Sequence, residues 1–319
     1  MVENREQSMT HLSVITPTYN EEESILECIV KLRQIMQNSF PEMSYEHLII
    51  DNSSIDNTAN IAIAESITDP NVKVIVNSRN IGASRSIYRA LSRVQGLWII
   101  PMLPADLQDP VEVIPRMLDS VKDGIEIVYG VRTNRQESFL LRTLRKIYYR
   151  VLRKASTFNL QDDAGVFVLI SSRIRDAIVQ VKDENPYVRG LIAQTNGKSV
   201  SIPYVWKKRG SGKSKSSPFV LADVAISGMV SSTHIPARLA LIFGFFTSAL
   251  GVVAGVVYLV LSFFSVGSTT SGIPTIIISI FFLGGVQLFF LGLIGEYVLS
   301  IHRQIKPEPP VNSVRESNF

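Results

Sequence analysis

Apolar and polar residues alternate in blocks along the first 130 residues. Leu12–Pro17 is a short apolar run, followed by the polar Thr18-Tyr19-Asn20-Glu21-Glu22-Glu23. This pattern predicts a buried strand, a turn and then a helix to about Gln37, with acids suited to its first turn. His47–Ile50, ending in Asp51, predicts a second strand, and the turn-rich Asn52–Thr58 leads into a helix near Ala59–Ser66. Val72–Asn77 predicts a third strand, followed by Ser78–Gly82 and a helix to about Val94. Leu97–Met102 predicts a fourth, which breaks at Pro104 into a loop carrying Asp106, Gln108 and Asp109. Val111–Val121 then reads as helix and Ile125–Val131 as strand. Strands alternating with helices at this spacing predict an α/β fold with a mostly parallel sheet and right-handed crossovers.

The pattern changes after residue 137. Ser138–Ser156 carries Arg142, Arg145, Lys146, Arg150, Arg153 and Lys154 among leucines, Ile147 and Val151. That is a basic amphipathic helix, suited to an anionic membrane surface, or to an ordinary surface whose basic stems flank an apolar stripe. Leu239–Phe264 and Ile273–Gly295 contain no charged residue. Each is long enough to cross a hydrocarbon core of about 30 Å as a helix. Arg238 precedes the first run, and His302, Arg303 and Lys306 follow the second, while the linker Ser265–Gly272 is uncharged. Positive charge on both outer flanks predicts that both termini and the large N-terminal domain are cytoplasmic. Gly251 and Gly255 have a spacing that allows close helix packing. The first residues lack an apolar core, so no cleavable signal peptide is expected.

Composition sharpens this outline. A chain of 319 residues, 46% hydrophobic, suggests about two domains with its apolar residues concentrated late. The single cysteine, Cys28, excludes an intrachain disulfide framework and a cysteine-based metal site. Net charge is a modest +4, and no nucleic-acid partner is expected. Asp51, Asn80 and Asp106 lie at or just beyond the ends of successive predicted strands, an arrangement that open α/β sheets use for nucleotides. No glycine-rich dinucleotide motif or P-loop accompanies it, which argues against a dehydrogenase or P-loop NTPase. Asp106, Gln108 and Asp109 offer hard oxygen ligands for Mg²⁺ or Mn²⁺. Equally, Asp109-Pro110 is an ordinary helix start. The Lys208–Lys215 run holds Lys208, Arg209, Lys213 and Lys215, suited to a substrate phosphate or to anionic lipid.

Several motifs together resemble the family 2 glycosyltransferases that act on polyisoprenyl phosphates, the dolichol-phosphate mannose synthase type and its bacterial membrane-anchored relatives. They are VITPTYNEEESI, IIDNSSIDNTA, SRNIGASRSIYRAL, ADLQDPVEVIPRML, YGVR at 129–132, DAG at 163–165, VRGL at 188–191 and the run Arg209, Gly212, Ser214, Lys215. The resemblance runs from Leu12 to about Lys306. It implies a GT-A, Rossmann-like catalytic domain followed by a two-helix transmembrane hairpin. The boundaries expected are 1–215 for the cytoplasmic catalytic domain, 216–237 for a juxtamembrane segment, 238–300 for helices at about 239–264 and 273–299, and 301–319 for a cytoplasmic tail.

The implied reaction is inverting transfer of one sugar from a UDP- or GDP-sugar to a polyisoprenyl phosphate on the cytoplasmic face, in a bacterial inner membrane, with Mg²⁺ or Mn²⁺. A homo-oligomer is compatible with it. Pro17, Tyr19, Glu21, Asp51, Asn80, Gly82 and Asp106 are implied at the donor, and Asp106 and Gln108 at the metal. Arg132, Arg209, Ser214 and Lys215 are implied at the acceptor or phosphates, with Asp106, Asp163, Arg209 and Lys215 as catalytic residues. The chain departs from the family pattern at Asn52, Ser53, Ala83, Pro104, Val166 and Val168. Those departures keep two alternatives open: a different lipid acceptor, or a catalytically silent membrane scaffold.

Overall fold

The structure is a computed structural model that describes residues 10–122, 124–133, 164–181, 186–206, 273–305 and 311–319, together with residues 242, 244–247, 249–251, 253 and 257. The basic stretch 138–156 and the run 208–215 lie outside the described residues. The chain divides into two compact units, one of Met1–Arg153, Phe158–Ser217 and Pro307–Phe319, the other of Lys154–Thr157 and Pro218–Lys306.

The first unit is built on an eight-stranded sheet. Its strands are β1 (Leu12–Thr18), β2 (Tyr45–Asp51), β3 (Val72–Asn77), β4 (Trp98–Ile100), β5 (Ile127–Thr133), β6 (Ala164–Ser171), β7 (Ser199–Val205) and β8 (Ser313–Ser317), in the spatial order β7-β5-β6-β4-β1-β2-β3-β8. Pairs β1/β2, β1/β4, β2/β3 and β5/β7 are parallel, whereas β3/β8, β4/β6 and β5/β6 are antiparallel. This is the mostly parallel sheet expected from the alternation of elements, in the Rossmann-like form that the resemblance implies.

The helices follow their apolar periodicity. In α1 (Ile25–Ser39) the buried positions are Ile25, Cys28, Ile29, Leu32 and Met36, a single stripe facing the core. Helix α2 spans Thr58–Thr68 and α3 spans Ala83–Leu91. The predicted strand Leu97–Met102 is regular only over Trp98–Ile100, because Pro101 has no N–H to give to the ladder. Leu103 N–H nevertheless reaches Ile15 O at 2.8 Å, so the chain stays beside β1 as far as the acidic loop. The predicted helix Val111–Val121 divides into a 3₁₀ turn, Val111–Val113, and α4, Ile114–Asp119, with a proline in the first turn of α4. Two further helices, α5 (Ser172–Gln180) and α6 (Val188–Gln194), follow β6.

Strands β1 and β2 are buried on both faces, so their polar residues need partners inside the sheet. Glu46 accepts from Ser13 Oγ at 2.5 Å and from Gln95 N–H at 2.7 Å, and Lys73 Nζ lies 2.8 Å from its second oxygen. His47 is bonded to Thr16 Oγ1 at 2.8 Å.

In the second unit, α7 (Ile273–Ile305) is the one helix among the described residues long and apolar enough to cross a membrane. Its window Phe282–Leu299 has a mean hydropathy of 1.7, and none of it is buried within the protein. Eighteen helical residues span about 27 Å, close to the hydrocarbon thickness. Gly244, Thr247 and Gly251, all helical, line a cleft with Gly284, Gln287 and Leu291 of α7.

Burial lowers the His47 imidazole from its ordinary 6.5 to about 3. Between those values the unfolded chain binds a proton that the folded chain refuses, so stability is full above the upper value and falls as pH drops through it. The slope is at most about 1.4 kcal/mol per pH unit. Denaturation of the wild type at about pH 7 and about pH 5.5 is expected to show this loss, and His47→Gln is expected to reduce it.

Candidate functional site

Strands β2 and β3 lie on one side of β1 and β4 lies on the other. The sheet therefore reverses its direction of growth at the β1/β4 junction. In open α/β sheets the crevice beyond the carboxyl ends of the strands at such a junction takes ligands. The loop Tyr19–Glu21 leaves β1 here, and the Asp106 loop leaves β4.

The β1 and β2 loops are stitched together. Asn20 adopts a left-handed φ of 55° and its N–H donates to Ser54 Oγ at 2.9 Å, while Ile55 N–H donates to Asn20 Oδ1 at 2.9 Å. Glu21 N–H donates to Thr58 Oγ1 at 2.9 Å. Glu21 is half-buried and accepts from Ser24 Oγ at 3.2 Å. Tyr19 stands beside them with 38% of its surface exposed, and Pro17 is half-buried on β1.

Asp51 is fully buried. Thr18 Oγ1 and Ser54 Oγ donate to one of its oxygens at 3.1 and 2.5 Å, and Ser54 N–H donates to the other at 2.9 Å. It therefore folds the Asn52–Ser54 turn, in which Ser53 has a φ of 64°. A side chain at that φ is strained by about 1 kcal/mol relative to glycine, the residue usual in the family pattern there. Asn52 is a hub. Its Nδ2 donates to Asn80 Oδ1 at 2.8 Å, and its Oδ1 accepts from Ile81 N–H at 2.9 Å and from Asn77 Nδ2 at 3.4 Å. Asn80 Oδ1 also accepts from Gly82 N–H at 2.9 Å. Gly82 has a φ of 83°, which a side chain rarely adopts, and precedes α3.

The acidic loop separates two carboxylates that the sequence left side by side. Asp106 is half-buried, accepts from Gln108 N–H at 3.2 Å, and is followed by Leu107 at a φ of 53°. Gln108 is also half-buried. Asp109 is only 2% exposed. Arg132 on β5 grips it with Nε at 3.0 Å and Nη2 at 2.8 Å, and Tyr204 OH on β7 donates to it at 2.5 Å. Burial alone would lower the Arg132 pKa, but the Asp109 carboxylate more than reverses this and keeps the guanidinium charged. Burial and the same carboxylate push the Tyr204 phenol up, so it stays protonated.

Two glycines make room for this group. A Cβ on Gly130 would lie 2.9 Å from both Phe167 O and the Tyr204 ring, and one on Gly165 would lie 3.3 Å from the Arg132 guanidinium. The Arg132 guanidinium also lies 5.3 Å from the centre of the Trp206 ring. Glycine in the YGVR motif is thus a packing requirement of the Asp109–Arg132–Tyr204 group, and a side chain in place of the DAG glycine would press on the Arg132 guanidinium.

The fold brings Tyr19, Glu21, Asp51, Asn80, Gly82, Asp106 and Gln108 to one edge of the sheet. Arg132 stands on β5 with its guanidinium committed to Asp109. Asp163, Arg209, Ser214 and Lys215 lie outside the described residues. Tyr204 and Trp206 were not anticipated. The signal for Tyr204 was the alternation of buried Ile202 and Tyr204 with exposed neighbours on β7, but its partner is 95 residues away.

Removing one partner of a buried ion pair leaves the other uncompensated, at a cost of about 3 kcal/mol or more. Asp109→Ala is expected to destabilise the protein by about that amount in chemical denaturation. Asp106→Ala is expected to change stability by less than about 1 kcal/mol, because that carboxylate retains access to water.

The model of the family described as "Glycosyl transferase family 2" matches residues 13–178. The uncharacterized glycosyltransferase YkcC of Bacillus subtilis (strain 168) is 33% identical over 93% of this chain and 91% of its own. The SfII prophage-derived bactoprenol glucosyl transferase of Shigella flexneri is 29% identical over 93% of this chain and 96% of its own. Among solved structures, the mannosyltransferase PcManGT of Pyrobaculum calidifontis, in complex with GDP-Man and Mn²⁺, aligns over 75% of this chain and 80% of its own at 17% identity and a TM-score of 0.42.

Proposed function

The chain belongs to glycosyl transferase family 2, and on that footing we propose that it moves a single sugar from a UDP- or GDP-sugar to a polyisoprenyl phosphate at a membrane surface. The observation that carries this reading is the span of the likeness to proteins named bactoprenol glucosyl transferase. It covers 93% of the chain, well beyond the residues that the family model matches.

The donor's nucleoside lies along the β1, β2 and β3 loops. The half-exposed Tyr19 ring suits stacking against a base, and Asn80, Gly82 and the Asp51-shaped turn form the wall beside it. The diphosphate reaches Asp106 and Gln108. Among the described residues, no group of three or more His, Cys, Asp or Glu is placed to hold a metal. Asp106 and Gln108 therefore fit Mg²⁺ or Mn²⁺ only as a shared site, completed by diphosphate oxygens and water, which is how such ions commonly sit on one or two carboxylates. A metal held there supplies Lewis-acid stabilisation to the departing diphosphate.

In the transfer, an oxygen of the acceptor phosphate forms a bond to the anomeric carbon. The bond from that carbon to the donor's diphosphate oxygen breaks, and the nucleoside diphosphate leaves with the electron pair. The acceptor phosphate is already ionised near neutral pH, so no side chain has to deprotonate it. This accommodates valine at 166 and 168, where the family pattern carries an acid and an arginine. Arg209, Ser214 and Lys215 are assigned to the phosphates, where cations stabilise developing charge. Asp163 is assigned to orienting the acceptor. Arg132, committed to Asp109, shapes the rim of this region rather than carrying an unpaired charge into it.

The membrane reading rests on α7, none of whose apolar window Phe282–Leu299 is fully buried, as suits a lipid surrounding. Residues 313–317 pair with β3 of the catalytic unit. On this reading the chain between Trp206 and Val311 begins and ends on one side of a membrane, and crosses it an even number of times. One crossing by α7 and one by the uncharged run Leu239–Phe264 meet that condition, with the catalytic unit on the cytoplasmic side.

Detergent-solubilised protein, supplied with Mg²⁺ or Mn²⁺, a short polyprenyl phosphate and labelled UDP- and GDP-sugars, is expected to move label into lipid. EDTA and Asp106→Ala are expected to abolish the transfer. No lipid label from any donor, with the substrate bound, overturns the acceptor; full activity of Asp106→Ala overturns the metal assignment. For the topology, a membrane-impermeant maleimide is expected to label Thr269→Cys in intact cells and His11→Cys only after permeabilisation.

A further inference from the structure

We propose that the segment Val311–Phe319 is a positioning element for the loop Ser78–Gly82, and so sets how tightly the donor is held. This rests on the donor site assigned above.

The segment is docked by sequence-specific contacts along its length. Strand β8 pairs antiparallel with β3, from Val74 opposite Ser317 to Asn77 opposite Ser313. Beyond the regular pairing, Ser78 N–H donates to Asn312 O at 2.9 Å, which fixes the first residue of the loop. At the other end, Asn318 Nδ2 donates to the carbonyls of Ser66, Asp69 and Val72, and Ser317 accepts from Ser66 Oγ at 2.8 Å. The Phe319 ring lies 4.7 Å from the Arg93 guanidinium and 5.6 Å from Lys73 Nζ.

A polar path continues from the segment to the loop. Glu316 pairs with Arg93 at 2.7 Å, and its charge also supports Arg89, whose charged form burial disfavours. Arg89 Nη1 donates to Asn77 Oδ1. Asn77 Nδ2 donates to Ser86 Oγ at 3.1 Å and to Asn52, and Asn52 holds both Asn80 and Ile81 N–H. The step from Glu316 to Arg89 is electrostatic, every step after it is a hydrogen bond between named groups, and the path ends on two residues of the donor loop. An element that merely covered the β3 edge against aggregation would need none of these side chains beyond its backbone.

The test compares the full chain with a chain ending at Pro310, and with a milder variant, Glu316→Ala/Phe319→Ala, that keeps the strand. UDP-glucose and GDP-mannose affinity, donor KM and kcat, and amide exchange at residues 78–82 are measured. Both shortened and substituted chains are expected to lose exchange protection at Ser78 and to raise donor KM, by about tenfold for the truncation, with kcat within about twofold. Adding a synthetic peptide of residues 311–319 in trans is expected to restore KM, and a scrambled peptide is not. Unchanged donor KM in the milder variant and in any folded truncated chain overturns the inference, even if the unfolding midpoint falls, because that is what edge protection alone produces. Failure of the intact chain to bind either nucleotide sugar overturns the donor-site reading itself, and is told apart by that control.

Discussion

Strand β1 is hydrogen-bonded on both edges, to β2 along its whole length and to β4 over Leu12–Val14, with side chains buried on both faces. The architecture depends on this constraint. A strand with no free edge and no solvent face cannot slip in register without burying unpaired polar groups. Its carboxyl end is therefore fixed, and the loops that leave β1, β2, β3 and β4 are fixed relative to one another. The stitching of Asn20 to Ser54 and Ile55, and of Glu21 to Thr58, adds detail to an arrangement that the ladder has already imposed.

Within that frame, burial sorts the carboxylates by role. Asp51 and Asp109 are removed from water and saturated by donors, so each shapes a loop and neither keeps a water-facing oxygen. Asp106, three residues from Asp109, remains half-exposed at the crevice. The difference is geometric. The turn at Leu107 sends Asp109 under β5 and β7, where Arg132 and Tyr204 meet it, and leaves Asp106 at the rim. The loop after β4, with proline at 104, thus keeps one carboxylate at the surface and anchors itself with another.

The chain also returns to its own beginning. After α7, none of whose window Phe282–Leu299 is fully buried among the described residues, residues 313–317 complete the sheet edge beside β3. A strand of Ser-Val-Arg-Glu-Ser would form no stable structure alone; it is ordered because β3 offers a ready ladder and Arg93, Ser66 and Lys73 offer side-chain partners. The loop Ser78–Gly82 and the segment that follows α7 are joined through one edge of one sheet.

Much of this was legible in the sequence. The β/α alternation from Leu12 to Val131, the acidic loop after the fourth strand and the apolar late runs follow from local periodicity and turn chemistry, which act over a few residues. The motif string also identified the family before any geometry. What the sequence left undecided were pairings across long separations. That Asp109 is an anchor and Asp106 is not, that Arg132 serves the carboxylate, that Gly130 makes room for Tyr204, and that polar residues 313–317 form a strand all depend on groups distant in the chain. Local pattern specifies which face of an element is apolar, because burial of that face drives its formation; only the packed fold decides which polar group meets which, because that choice is made by the three-dimensional neighbours that exclude water from each pair.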